Sequence, residues 1–224
     1  MINGVYIIVE GQTEVEFVKQ ILVPYFVQQN IFNIHPITLT TSPGHKGGAI
    51  SYDRYKTNAQ ILLKQHPNAL VTSLIDYYKL DKRFPFYQKS LNTFDKYNRI
   101  KEIEKAITDD ISNPMFVPYI QLHELEGLLF SDIKGFNFIR EILNATSKEL
   151  DHLNRIIEAH PNPELLNDGE ATAPSKRILK LLPRYKKKLH GIMVAEEISL
   201  SRIRQKCLRF DSWISNIVEI VNNS

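Results

Sequence analysis

The chain alternates between two hydrophobic rhythms before settling into one. Val5 to Val9 is an unbroken apolar run of the kind covered on both faces in a parallel sheet. Phe17, Val18, Ile21, Leu22, Tyr25 and Phe26 then recur at helical spacing, and Pro24 is expected to kink that helix near its end. Strand-like composition returns over Ile34 to Thr41. Tyr55, Ala59, Leu62 and Leu63 predict a second helix, and residues 69–75 form a second apolar run that stops at Asp76. Tyr97, Ile100, Ile103, Ile107 and Ile111 predict a third helix, and residues 117–122 a fourth strand. Strand and helix thus alternate to about residue 130, which predicts an α/β core with a mainly parallel sheet. Beyond it only helical periods remain, over residues 136–143, 147–159, 174–182, 184–195 and through Trp213 and Ile217. The expected division is an α/β core over 1–130 and a helical annex over 131–224 packed on it.

Composition narrows this little. The 224 residues are 43% hydrophobic and 24% charged, with a net charge of +3, so bulk charge gives no argument for nucleic-acid binding. A single cysteine, Cys207, excludes an internal disulfide and a cysteine-based zinc site, as expected in a reducing cytoplasm. There is no leader-like start and no run of about 20 apolar residues, so a cytoplasmic protein is expected.

The chemistry concentrates where strands end. Glu10 closes the first apolar run and Asp76 the third predicted strand, and in open α/β sheets sites form at the carboxyl ends of strands. Neighbouring strand ends lie about 5 Å apart, and two carboxylates that close repel unless a divalent cation neutralises them. Oxygen-only ligands suit Mg²⁺ or Mn²⁺. A third acid is available from Glu124 or Glu126 in "HELEGLLF"; if this stretch is helical, the two flank its apolar stripe on opposite sides and only one reaches a metal. Glu14 is read alone as complementing a helix dipole, but its place makes it a further metal candidate. Thr13 and Glu16 fit a capping box, which leaves Glu16 no role in a site. Residues 171–195 hold Lys176, Arg177, Lys180, Arg184, Lys186, Lys187 and Lys188 and no acid, a candidate phosphate-binding surface or a plain solvated face. Lys46, among Gly44, Gly47 and Gly48, is a second place where a phosphate could be held, although the order is not that of a P-loop.

At Val9–Glu14, "VEGQTE", the chain resembles the first motif of the Toprim fold. The similarity is closer to a small bacterial Toprim-like family with "DYY", "HExEALLF" and "PSKRI" further on. These read here as Asp76–Tyr78, His123–Phe130 (Gly127 at the alanine) and Pro174–Ile178. The resemblance, related to the OLD-family Toprim nucleases, implies a Rossmann-like core with a Mg²⁺-binding acidic cluster. It implies Glu10 as general base or metal-associated acid, Asp76 as a metal-binding aspartate, and a nuclease working beside an ATPase on a separate chain in phage or plasmid defence. One position departs: Tyr78 stands where the usual Asp-x-Asp motif has its second acid. The expected function is a metal-dependent nuclease or related phosphodiester-processing enzyme. The alternative is a non-catalytic Toprim-like subunit that binds nucleic acid or an ATPase partner.

Overall fold

The computed structural model describes residues 2–39, 50–78, 80–166, 169 and 172–224. In chain order the elements are β1 (Val5–Val9), α1 (Gln12–Phe17), a π-helical turn (Val18–Leu22), α2 (Val23–Gln28), β2 (Ile34–Thr38), α3 (Tyr52–Gln65) and β3 (Leu70–Asp76). Then come α4 (Tyr87–Ser90), α5 (Lys96–Ile111), β4 (Phe116–Val117), β5 (Ile120–Gln121) and a 3-10 segment (Leu125–Ser131). The remainder is helical: α6 (Lys134–Phe138), α7 (Arg140–Leu143), α8 (Ser147–Ala159), a 3-10 turn (Pro163–Leu165), α9 (Pro174–Leu181), a π-helical turn (Lys187–Gly191), α10 (Ile192–Ile198), α11 (Leu200–Lys206) and α12 (Leu208–Asn222).

The sheet is parallel throughout in the order β2-β1-β3-β4, with β5 also on β3. β1 is therefore central, and four of its five residues are buried, as its unbroken apolar run requires. Pro36, which cannot donate to a ladder, sits on the outer strand β2. The expected fourth strand is split. β4 and β5 meet β3 through Val71 and Asp76 respectively, because Pro118 interrupts the ladder between them.

Two apolar layers cover the sheet. Val5, Ile7 and Val9 face a core shared with α1, the 3-10 segment and the C-terminal helices, which contribute Phe136, Val194, Phe210 and Trp213. Ile8, Val71 and Ile75 face α3 and α5. The helices after residue 130 thus complete one face of the sheet, and Trp213 Nε1 donates to Thr72 Oγ1 on β3 at 2.9 Å.

Two local expectations are corrected. The capping box at Thr13 and Glu16 does not form. α1 is N-capped by Gly11 without a side-chain bond, and Glu16 instead accepts from Gln12 and Gln20 one turn either side. Pro24, expected to kink the helix near its end, falls in the first turn of α2, directly after the π-helical turn Val18–Leu22. The helix expected over 184–195 begins as an irregular segment and a π-helical turn. No helix among the described residues is long and apolar enough to cross a membrane.

Candidate acidic site at the strand ends

β1 and β3 run side by side in register, Val9 beside Leu74, so their carboxyl ends open on the same edge. Glu10 reaches across: its Oε1 accepts the backbone N–H of Asp76 at 2.9 Å. Asp76 in turn reaches forward, and its Oδ1 accepts the N–H of Leu125 at 3.0 Å. Glu124 continues the series, taking the N–H and hydroxyl of Ser175 at the start of α9, each at 2.9 Å. Each carboxylate is thus fixed by a backbone N–H of the next segment, from β1 to β3, to the 3-10 segment, to α9. Such bonds hold the acids in place without consuming their charge, the preorganisation a binding site needs.

The link between β5 and the 3-10 segment passes through His123, whose backbone is left-handed (φ 71°) and whose carbonyl accepts Tyr78 N–H at 2.8 Å. A non-glycine residue there is uncommon and marks a turn the surroundings enforce. The turn leaves Glu124 extended, outside the helix, while Glu126 lies in its first turn. This overturns the expectation that the two glutamates point to opposite sides. Both approach one ammonium, Lys187 Nζ, which lies 2.8 Å from Glu126 Oε1 and 3.8 Å from Glu124 Oε1.

The electrostatics follow. Burial pushes the Glu10 carboxyl up to about 7; the Asp76 N–H works against this, Glu14 adds to it and Lys187 opposes it. Asp76 is raised well above the usual range by burial, then by Glu10, Glu14, Glu126 and Glu124. Glu126 is raised by burial despite Lys187. Burial disfavours the charge on Lys187, but Glu126, Glu124 and Asp76 outweigh it and raise its pKa. Glu14, read alone as a dipole residue, is only 9% exposed and is felt by both Glu10 and Asp76. The five acids proposed from sequence therefore act on one another, with one lysine among them. Asp81, by contrast, is tied to Arg83.

Beside Glu126 a cavity of about 10 Å³, the size of one water, is lined by Thr13, Phe17, Leu125, Leu129, Tyr185 and Lys187 among others. The Tyr185 hydroxyl is buried with no hydrogen-bond partner among the described residues, and burial, Glu126 and Glu124 raise its pKa. Gly191 makes room for it, since a Cβ there would fall 2.8 Å from the hydroxyl.

The remaining candidates separate. Lys187 turns inward. Arg177 is held by the carbonyls of Thr172 and Leu166. Lys176, Lys180, Arg184, Lys186 and Lys188 are exposed. Lys46 and its glycines lie outside the described residues. Sequence reasoning missed the inward role of Lys187, the part of Ser175 in fixing Glu124, and Tyr185. The "PSKRI" stretch was the only signal for Ser175, and nothing in a run of three lysines marks the middle one.

Residues 9–218 match the family described as "Domain of unknown function (DUF4276)". The chain belongs to this family. Comparison with curated proteins gives no match. Among solved structures, this DUF4276 protein is similar to the C-terminal region of the Burkholderia pseudomallei OLD protein, with TM-score 0.50, 17% identity, and 98% of this chain and 97% of that chain covered. The corresponding region of the Xanthomonas campestris pv. campestris OLD protein gives TM-score 0.45 at 17% identity over 98% and 97% of the two chains. At this identity the first likeness speaks for the mixed α/β fold with its mainly parallel sheet. A Cβ at Gly127 would make only ordinary contacts, 3.7 Å from Pro174 Cγ and 3.8 Å from the Pro163 carbonyl. Gly127→Ala, which restores the alanine of the resembling pattern, is expected to leave stability unchanged or raise it by up to about 1 kcal/mol in a denaturant melt.

Proposed function

We propose that this DUF4276 protein is a divalent-cation-dependent phosphodiester-processing enzyme of Toprim type acting on nucleic acid. The observation that carries this reading is the gathering of Glu10, Glu14, Asp76, Glu124 and Glu126 from separate segments at the ends of parallel strands, each pressing on the charge of others. The donor set is all oxygen and fits Mg²⁺ or Mn²⁺. Among the described residues no three such groups stand in ligating geometry, and Lys187 supplies the counter-charge. Glu10, Asp76 and Glu126 would hold the cation, with Glu14 behind them. Glu124, both of whose oxygens are engaged by Ser175, positions the start of α9. When bound, the cation would supply Lewis acidity and an activated water.

The chain's own part is separable from that. The hydrogen bonds from Asp76 and Leu125 keep Glu10 and Asp76 aimed at the edge of the sheet. In the metal-free protein Glu10 keeps its proton up to about pH 7, so cation binding near neutral pH would release that proton. The cations Lys180, Arg184, Lys186 and Lys188 follow the start of α9, which Glu124 holds, and would carry phosphates.

The test is calorimetric titration with Mn²⁺ alongside a cleavage assay on labelled DNA and RNA. One site of micromolar-range affinity with cleavage is expected; no heat and no cleavage would overturn the reading. A second reading, a non-catalytic subunit that binds nucleic acid or an ATPase on another chain, draws on Tyr78 in place of an acid and on the Lys187–Glu126 ion pair. It expects nucleic-acid or partner binding without Mn²⁺ heat.

Charge reversal separates the surfaces. Lys180→Glu, Arg184→Glu and Lys188→Glu together are expected to weaken binding across all sequences and to lower the slope of log K against log salt by about 3, one for each phosphate left without its cation. An unchanged slope removes this surface from the interface.

A further inference from the structure

β3 delivers Asp76 to the acidic site and runs directly into residues 77–94, "YYKLDKRFPFYQKSLNTF". Its described residues are anchored. Tyr77 and Tyr78 N–H groups bond the carbonyls of Gln121 and His123 at 2.8 Å, so its start is tied to the strand and turn that build the site. Leu80 and Phe84 are buried, and the Phe84 ring packs 5.1 Å from Tyr52 and 5.4 Å from Tyr55. Two residues after this anchor the chain does something costly. Phe86 adopts a left-handed backbone (φ 64°, ψ −6°), rare for a bulky residue, and remains 41% exposed.

Leu91 is 46% exposed and Phe94 99%. The apolar side chains are interleaved with cations: Lys82 and Lys89 are exposed, and the Lys89 ammonium lies 5.9 Å from the centroid of the Phe86 ring. The acid within the segment, Asp81, is taken by Arg83. An anchored segment that leaves the acidic site along the chain and displays two phenyl rings among lysines matches what unpaired nucleotides require: π-faces to stack on and positive charge along the backbone. A duplex offers no such faces, because its bases stack on one another.

We propose that Phe86 and Phe94, with Lys82 and Lys89, form a stacking platform that binds single-stranded nucleic acid and feeds it to the acidic site. The identity of the site as a phosphodiester centre rests on the function proposed above; the platform itself does not require a metal. Stacking also separates this surface from the cations that follow the start of α9. Loss of a ring removes affinity while every phosphate keeps its cation, so the salt slope stays where it was.

The experiment is fluorescence anisotropy with labelled oligothymidine of about 20 nucleotides, and with a duplex of equal length, in EDTA so that neither metal nor cleavage intervenes. Wild type is expected to prefer the single strand. Phe86→Gly relieves the left-handed backbone, so its melting temperature should be unchanged or higher, while single-strand affinity falls. Phe86→Gly and Phe94→Ala are each expected to weaken single-strand binding by at least about fivefold with an unchanged salt slope, and Phe94→Trp to restore it. Equal single-strand binding by wild type and both ring variants overturns the platform, as does a preference for duplex. No binding of either oligonucleotide by wild type also overturns it and leaves the rings to a protein partner. Each of these results is independent of the Mn²⁺ titration, which alone decides the metal reading.

Discussion

Glu10→Gln is expected to abolish Mn²⁺ binding and any cleavage while making the metal-free protein more stable above neutral pH. The substitution keeps an acceptor for the Asp76 N–H and removes one charge from a crowded group. In the fold the Glu10 carboxyl is raised from 4.5 to about 7, first by burial and then, against the Asp76 N–H, by Glu14. A carboxyl raised in this way holds its proton in the folded state after the unfolded chain has released it. Its contribution to stability is therefore complete below pH 4.5 and is lost as pH rises through about 7. Glutamine does not titrate, so the two proteins should melt alike below pH 4.5, diverge between 4.5 and about 7, and differ by a constant amount above that. With about 1.4 kcal/mol per unit, and some allowance for the partial exposure of the carboxylate, the gain is on the order of 2 kcal/mol. Thermal melts across pH in EDTA and calorimetry with Mn²⁺ check both halves. Equal Mn²⁺ affinity in the two proteins would remove Glu10 from the site. A loss of stability at pH 8 would make it a structural residue.

Much of this was legible because it is local. The unbroken run Val5–Val9 required a strand buried on both faces, and β1 is the central strand. Glu10 and Asp76 were placed together by simple reasoning on neighbouring strand ends. What failed was also instructive. Thr13 and Glu16 have the spacing of a capping box, yet Gly11 takes the cap and Glu16 pairs along the helix surface, since local spacing offers several partners of similar energy. Glu124 and Glu126 were separated by helical geometry that Glu124 never enters, because the left-handed His123 holds it extended. Lys187 looked like its neighbours Lys186 and Lys188. Only a contact across 61 residues with Glu126 distinguishes it, and no periodicity encodes that.

The same limit hides the residue with the largest expected effect on stability. Glu164 stands in the short 3-10 turn Pro163–Leu165, in "NPELL", with no sequence mark, yet it is fully buried. Its Oε1 accepts Phe210 N–H at 3.0 Å, and its Oε2 accepts Arg209 N–H at 2.9 Å and the Tyr97 hydroxyl at 3.0 Å. Arg209 and Phe210 lie in the first turn of α12, so a carboxylate 45 residues away in sequence caps that helix and meets the positive end of its dipole. The site uses the same device, with Glu124 on α9. Arg209 extends the network to Glu104, whose carboxylate also accepts Ile120 N–H beside β5. Burial raises the pKa of Glu164 although the Arg209 and Phe210 N–H groups favour its charged form. Glu164→Ala leaves the buried Phe210 N–H and the half-buried Arg209 N–H without their acceptor, takes one of two partners from the Tyr97 hydroxyl, which keeps Asn162, and opens a cavity. Each unmet buried donor costs about 1–3 kcal/mol, so a loss of about 3–5 kcal/mol and a fall in melting temperature of roughly 10 °C are expected. Glu164→Gln keeps one acceptor but turns an amide against a donor, and should fall between wild type and alanine. Because α12 carries Trp213 onto β3, the damage should reach the sheet: hydrogen exchange in the alanine variant is expected to rise at Thr72 and its neighbours as well as in α12. A melt within about 0.5 kcal/mol of wild type, the range of ordinary surface substitutions, would show that α12 is held by its apolar face alone.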